Sequence, residues 1–339
     1  MTSVKKHYYE HEKFWVDMQP FLLSQGYLLR PRYQPNWIPT RVAKPSFFPQ
    51  IYEDERAIFY DQVMDAARAS DGRKVILKHI ESDGNEMDII KFLDSPPARK
   101  DPRNRTIPVL DIIPIPETSW SFLVMPYCRE FNTPPFHCRN EFVAAMDQFL
   151  NGLQFMHDHN IAHFDIAPQN MMMDESRVVP RGSHFARPRT HTGFSDHMFY
   201  WNDRCAVSPV DCYFIDFGLS WYCPEGKDAL VYGTLRTFRT IPELSDDVPY
   251  NPFPVDIFQL GLTIHKLIDT YPDLEDFRPV AVSMTVTNPK DRPSANDALA
   301  HFRQIAATME PSKLSEQIWE KDLGRWKKLS RLMFGGWSG

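Results

Sequence analysis

An aspartate, an asparagine and a second aspartate stand in this chain where they could hold a divalent cation. His163-Phe164-Asp165-Ile166-Ala167-Pro168-Gln169-Asn170 follows a long helical pattern, and Asp216-Phe217-Gly218 follows the apolar run Cys212 to Ile215. Lys78 ends another strand-like run, Val75-Ile76-Leu77-Lys78. Phosphoryl transfer needs hard oxygen ligands for magnesium, a cation for the nucleotide phosphates and a carboxylate to orient the attacking hydroxyl. The spacings H-x-D-x-x-x-x-N and D-F-G are those of a catalytic loop and a magnesium-binding loop.

The elements that must position these groups are legible as periodicities. Two strand-like runs between Gln62 and Ile80 flank Ser70-Asp71-Gly72-Arg73, a hairpin signal, and the second run ends at Lys78. Glu86, Ile89, Ile90 and Leu93 recur at helical spacing, and Pro96 to Arg105 is expected to be a polar loop. Ile107 to Ile115 and Ser119 to Tyr127 supply two further strands, which puts a boundary between two lobes near Cys128. Phe142, Val143, Met146, Phe149, Leu150, Leu153 and Met156 fall on one face of a long core-facing helix. Residues 176–211 lack periodicity and read as an insertion. An aromatic-rich helix within Glu10 to Leu29 precedes a proline-punctuated stretch, so residues 1–49 are expected to wrap the core, 50–310 to form it, and 311–339 to make a helical tail.

Composition bounds the function. The 339 residues carry a net charge of -6, which gives no global cationic field for nucleic acid. The N-terminus lacks the apolar run of a signal peptide and nowhere are there about 18 consecutive apolar residues, so no membrane partner is expected. Cys128, Cys138, Cys205, Cys212 and Cys223 form an odd set without a CxxC pair, as reduced thiols of an intracellular, cytoplasmic or nuclear, protein would. His184, His191, His197, Cys205 and Cys212 lack the short paired spacing of structural zinc sites, so no metal is expected in the insertion.

Six motifs in order make the chain resemble the protein kinase superfamily from about Val63 to Phe302. They are the strand lysine Lys78, the two loops above, Ile241-Pro242-Glu243, the pair Asp256 and Gly261, and Asp291-Arg292-Pro293. The N-terminal wrap, the Pro-Arg-Asn loop near Asp101 and the run Ile-Asp-Phe-Gly-Leu-Ser further resemble fungal kinase-like proteins. The resemblance implies an α+β, bilobal fold with a small β-rich N-lobe and a larger helical C-lobe. It implies ATP and Mg2+ as cofactors, with Asp165 as base, Asn170 and Asp216 on the metal, and Lys78 on the phosphates with Glu86 as its helix partner and Glu81 as the rival. Met125 falls at the gatekeeper position, Tyr127 and Cys128 in the hinge, Val63 and Ile76 above the adenine and Met172 below it.

The chain departs from that family in places that matter. Counting back from Lys78, the three glycines of the phosphate loop become Arg56, Ile58 and Asp61, and side chains there obstruct backbone closure over phosphates. Ile76 is bulkier than the usual alanine. Ala167 replaces a catalytic-loop lysine and Gln169 does not restore it, so Arg236 or Arg239 is expected to supply the missing cation. Phe164 removes the arginine that reads a phosphorylated activation loop, and the short interval from Asp256 to Arg292 implies a reduced helix G. Lys321 to Arg331 reads as a basic amphipathic helix that packs on the core. The expected activity is that of a protein kinase acting on serine or threonine hydroxyls of an unspecified protein substrate. A pseudokinase scaffold and a small-molecule kinase are the alternatives.

Overall fold

The structure, a computed structural model, describes residues 8–43, 52–55, 58, 60–193, 199–235, 240–326, 328–329 and 336–338. Glu12, Trp15, Gln19 and Leu22 recur at three- and four-residue steps, and they are the buried face of α1 (Glu10–Ser24). The chain turns through Gly26, whose φ of 89° suits glycine, into β1 (Tyr27–Leu29). A long connection, residues 30–62, holds, among the described residues, only short turns and α2 (Thr40–Ala43). It leads to the hairpin of β2 (Val63–Arg68) and β3 (Lys74–Glu81), closed through Gly72 at φ 71°. Then follow α3 (Asn85–Leu93), α4 (Pro96–Lys100), β4 (Asp111–Pro114) and β5 (Trp120–Pro126).

These strands form one antiparallel sheet of order β1-β2-β3-β5-β4. Its outer face, with Met64, Leu77, Phe122 and Val124, is covered by Trp15 and Leu22 of α1 in one apolar cluster. Each such buried side chain contributes about 1.5–3 kcal/mol. Two expectations are corrected here. The first strand of the core sheet lies inside the segment expected to be a wrap, so no boundary at residue 50 separates wrap from core. The polar loop at Pro96 contains α4, because proline is unfavourable inside a helix yet suits its first turn.

The second lobe is built on α5 (Arg139–Asp158), preceded by β6 (Cys128–Glu130) and followed by β7 (Ile161–Ala162) and β8 (Met171–Asp174). Phe142, Met146, Phe149, Leu150, Leu153 and Met156 are fully buried, whereas Val143 is half-buried. The insertion is not a bare loop, for it contains β9 (Phe199–Trp201) and α6 (Arg204–Val207). Beyond it lie β10 (Cys212–Phe214), β11 (Trp221–Tyr222), β12 (Val231–Gly233), β13 (Ser245–Tyr250), α7 (Phe253–Thr270), α8 (Arg278–Met284), α9 (Ala295–Ala307), α10 (Pro311–Ser315) and β14 (Gly336–Ser338). Between α7 and Arg292 the seven-residue α8 is the one α-helix among the described residues.

The tail differs from the expected helix. β14 pairs antiparallel with β9 of the insertion, so backbone bonds hold residues 336–338. Trp326 is 85% exposed and Leu329 is exposed, so neither packs on the core, and residues 327, 330 and 331 of the expected amphipathic helix lie outside the described residues.

Candidate active site

Directly paired residues of an antiparallel sheet share a face. The register Val63↔Lys78↔Leu123 and Ile76↔Met125 therefore puts Val63, Ile76, Lys78 and Met125 together on the inner face, opposite the one α1 covers. Lys78 Nζ donates to Glu86 Oε1, in the first turn of α3, and to Asp216 Oδ1 at 2.7 Å. Glu81 ends β3 and is exposed, so of the two candidate partners Lys78 meets Glu86. Burial pushes the Lys78 ammonium down, but Glu86 and Asp216 outweigh that and hold it above its ordinary value. Burial pushes Asp216 up, and Lys78 with the Gly218 N-H outweighs it, so its carboxyl sits below the usual range. Both groups are thus charged at neutral pH.

The second carboxylate is delivered by the loop between β7 and β8. Asn170 Nδ2 donates to Asp165 Oδ2 at 2.7 Å and to the Asp165 carbonyl at 2.9 Å, which leaves the amide oxygen of Asn170 as the atom it can offer a metal. The pairing of β8 with β10 and the bond from Ile215 N to Asn170 O, 3.0 Å, set Asn170 beside the residue that precedes Asp216. Burial raises the Asp165 pKa above its ordinary value, Asn170 and His163 oppose that, and Asp216 adds to it. His163 is fully buried and desolvation keeps its ring neutral, with Nε2 3.1 Å from the Ile215 carbonyl oxygen.

What holds this loop is a buried pair on α7. Asp256 accepts from the backbone N-H groups of His163 at 2.8 Å and Phe164 at 2.7 Å, and lies 2.9 Å from His157 Nε2. Gln259 accepts from Ile166 N at 3.0 Å and donates to Phe164 O at 2.8 Å. The bonds flank Phe164, whose φ of 69° is strained for a bulky residue. Asp256 was legible from its motif; Gln259 was not, although its three-residue step along one helix face is a signal that could have found it. Glu243 and Arg292 form a bidentate pair, with Arg292 Nη2 to Glu243 Oε2 at 2.8 Å.

The adenine-side residues fall into two groups. Val63, Ile76 and Met172 are half-buried and Met125 is buried. Cys128 starts β6, half-buried. Tyr127 instead engages the insertion, its hydroxyl 3.0 Å from Ser183 Oγ and its ring under Lys74 Nζ. Lys74 also donates to the Ser183 carbonyl, and His184 Nε2 lies 3.0 Å from Glu53 Oε1. Glu175, buried and bonded to Ser183 N at 2.8 Å and to Arg129, organises the base of that bridge. Sequence reasoning missed Glu175 and Ser183, because their pairing is set by a loop without periodicity.

Over the phosphates the chain lacks a short glycine turn. β1 and β2 are joined by residues 30–62, and the last part is tied to α1, with His11 Nε2 2.8 Å from the Ile58 carbonyl and Trp15 Nε1 donating to the Asp61 carbonyl at 3.2 Å. Ile58 is buried in the outer-face cluster, while Asp61 is exposed. Arg56, Arg236 and Arg239 lie outside the described residues. Ala167 is buried, and the groups acting on the Asp165 charge are Asn170, His163 and Asp216.

A family model described as Protein kinase domain matches residues 60–278, more than half of the chain, and begins within the last residues of the connection between β1 and β2. A probable casein kinase II subunit alpha homolog of Encephalitozoon cuniculi is 23% identical over 165 residues, 48% of this chain and 41% of that protein. The human serine/threonine-protein kinase ULK3 is 29% identical over 106 residues, 27% of this chain and 21% of that protein. The matched segments thus span less than half the length of these relatives. A crystal structure of the Rad53 kinase domain and SCD2 in complex with AMPPNP aligns with a TM-score of 0.45 and 15% identity over 77% of this chain and 93% of that one. The chain belongs to the protein kinase domain family.

Proposed function

We propose that the chain transfers the γ-phosphoryl group of ATP to serine or threonine hydroxyls of a protein. The observation that carries this reading is the bridging of Glu86 and Asp216 by Lys78, with the Asp165 and Asn170 pair on the adjoining loop. The donor set suits magnesium, since Asp216 and the Asn170 amide oxygen are hard ligands and no thiol or imidazole competes among these two. Bound magnesium would neutralise phosphate oxygens as charge moves to the leaving group. Lys78 holds the α- and β-phosphates, Glu86 orients Lys78, and Asp165 orients the acceptor hydroxyl and takes its proton. The elevated pKa of Asp165 suits a base better than an ordinary aspartate would. Val63, Ile76, Met125 and Met172 enclose the adenine, with the Tyr127 and Cys128 backbone along its edge.

A pseudokinase is the second reading, and the observation that favours it is the anchoring of Ile58 and Asp61 to α1 together with Ala167. Both remove stabilisation of the triphosphate. The test is transfer from Mg-ATP to a serine- and threonine-containing peptide library, with thermal shift by Mg-ATP, for the wild type and Asp165→Asn. Transfer that falls by on the order of a hundredfold or more in the variant supports the proposal. A thermal shift without transfer in the wild type supports the pseudokinase, and transfer to small hydroxyl compounds alone supports a small-molecule kinase.

A further inference from the structure

The start of α5 and the insertion meet at a cluster that phosphoryl transfer does not use. Cys138 caps α5, Glu141 stands in its first turn and Cys205 belongs to α6. Their sulfur and oxygen atoms all lie within 4.8 Å of one another. We propose that Cys138, Glu141 and Cys205 form a binding site for a zinc-class divalent cation that fastens the insertion to the helical lobe.

The donor chemistry selects the ion. Two sulfurs and a carboxylate suit a borderline-soft cation that accepts thiolate, imidazole and oxygen in a tetrahedral shell, and exclude magnesium and calcium, which take oxygen alone. Cys138 and Glu141 are buried while Cys205 is exposed, so the site has a dry inner side and an entry path. A surface groove lined by Asn140, Gln148, Ser208 and Val210 reaches Glu141 and Cys205 and opens them to solvent.

The carboxylate is already oriented. Glu141 Oε1 accepts from Cys205 N at 2.9 Å, and Oε2 accepts from His137 N at 2.9 Å and from Arg204 Nη1 at 3.3 Å. A carboxylate offers about four lone-pair sites, so three bonds leave one on Oε1 for a metal. Outer donors of this kind fix a ligand in place. Arg204 also donates to the carbonyls of Phe131 and Pro134, and His137 Nδ1 lies 3.3 Å from Asp203 Oδ2, so α6 is held against α5 before any ion arrives. The ligands meet by packing of distant segments, which is why cysteine spacing gave no sign of them.

Charge balance permits the exchange. Without an ion the Glu141 charge is balanced by Arg204 and the two thiols are neutral groups. Replacing two thiol protons by one dication leaves the site's net charge unchanged, which avoids burying an uncompensated charge.

The test uses the full chain, reduced and freed of metal by chelation, titrated with Co2+ and then Zn2+. One Co2+ per chain with a thiolate-to-cobalt charge-transfer band, bleached by Zn2+ and lost in both Cys138→Ser and Cys205→Ser, supports the site. Asp216→Asn should keep the band, which separates this site from the magnesium ligands. Zn2+ should raise the melting temperature of the wild type but not of Cys205→Ser, whose exposed position lets the variant fold. A missing band, a band that survives Cys205→Ser, or a Cys138–Cys205 disulfide formed by a mild disulfide oxidant in a chain without metal affinity overturns the proposal.

Discussion

Replacing Asp256 by asparagine tests whether α7 holds the catalytic loop. The carboxylate is fully buried and its two oxygens receive separate backbone N-H groups, Phe164 on Oδ1 and His163 on Oδ2. An asparagine side chain keeps one acceptor, so one of these buried N-H groups faces an amide nitrogen. A hydrogen bond to a charged group contributes about 1.5–3 kcal/mol, and an orphaned buried donor costs about 1–3 kcal/mol. Turning His157 so that it accepts from the new amide recovers part of this, and the expected net loss is about 3 kcal/mol. Phe164 at φ 69° relaxes once its N-H or that of its neighbour is released, which moves Asp165 out of register with Asn170. The measurement is urea unfolding together with amide hydrogen exchange at His163 and Phe164. Exchange should accelerate at one or both amides, and phosphoryl transfer should fall with it. Protection unchanged at both amides and a stability loss under about 1 kcal/mol would refute the anchoring role.

Glu12→Gln should destabilise the chain by about 3–5 kcal/mol, because it removes the carboxylate charge that balances Arg32 where the two side chains are 0% and 7% exposed. Burial raises the Glu12 pKa, but the Arg32 bond, the Tyr9 N-H and the Tyr33 hydroxyl outweigh it and hold the carboxyl below its ordinary value. That stability is therefore present above the unfolded glutamate pKa of about 4.3 and lost as pH falls through the folded value, so the gap between variant and wild type in urea should close in acid. For Asp165 the sign is opposite, since its folded pKa is raised. Asp165→Asn should stabilise the chain at neutral pH, with the gain vanishing below the unfolded aspartate pKa, as melting curves across pH would record. The acid limb of wild-type turnover should lie above the ordinary aspartate range, and a limb within that range would count against Asp165 as base. Gly261→Ala should cost about 1–3 kcal/mol, since a Cβ there would sit 2.7 Å from Thr285 Cγ2 and 2.8 Å from Met284 Cβ; a neutral effect in urea would contradict that close approach.

Much of the candidate site was legible because its chemistry is local. Asp165 and Asn170 meet through a loop of a few residues, and Asp216 is placed by a strand that pairs with the one following Asn170, so short motifs carry their geometry. Lys78 and Glu86 were legible for a similar reason, as a strand end and the next helix's first turn are near in sequence. The hairpin, α3 and α5 followed from period two and period 3.6. The insertion's bridge and the thiol cluster were not legible, because Ser183, Glu175, Cys138 and Cys205 meet through loops in which no period records who faces whom.

The displaced first strand shows a different limit and has the larger consequence. A strand of three residues, Tyr27–Leu29, carries at most one alternation, too little for a period to register, and it pairs with a β2 that lies beyond residues 30–62. Counting back from Lys78 assumes a tight β1–β2 turn, and so it assigned phosphate-loop positions to Ile58 and Asp61, which are in fact bound to α1 on the outer face of the sheet. The same tethers that stabilise the N-lobe withdraw the segment that in this family closes over phosphates. On the proposed function, binding of the triphosphate would then rest on Lys78 and on the magnesium that Asp216 and Asn170 would hold more than on the backbone N-H groups of Ile58 and Asp61. Trp15→Phe removes the indole bond to Asp61 while keeping most of the buried ring, so it frees that segment at little cost to the core. Tighter Mg-ATP binding in this variant is the outcome that follows from the tether, and unchanged affinity would mean that the connection has no inward conformation to adopt.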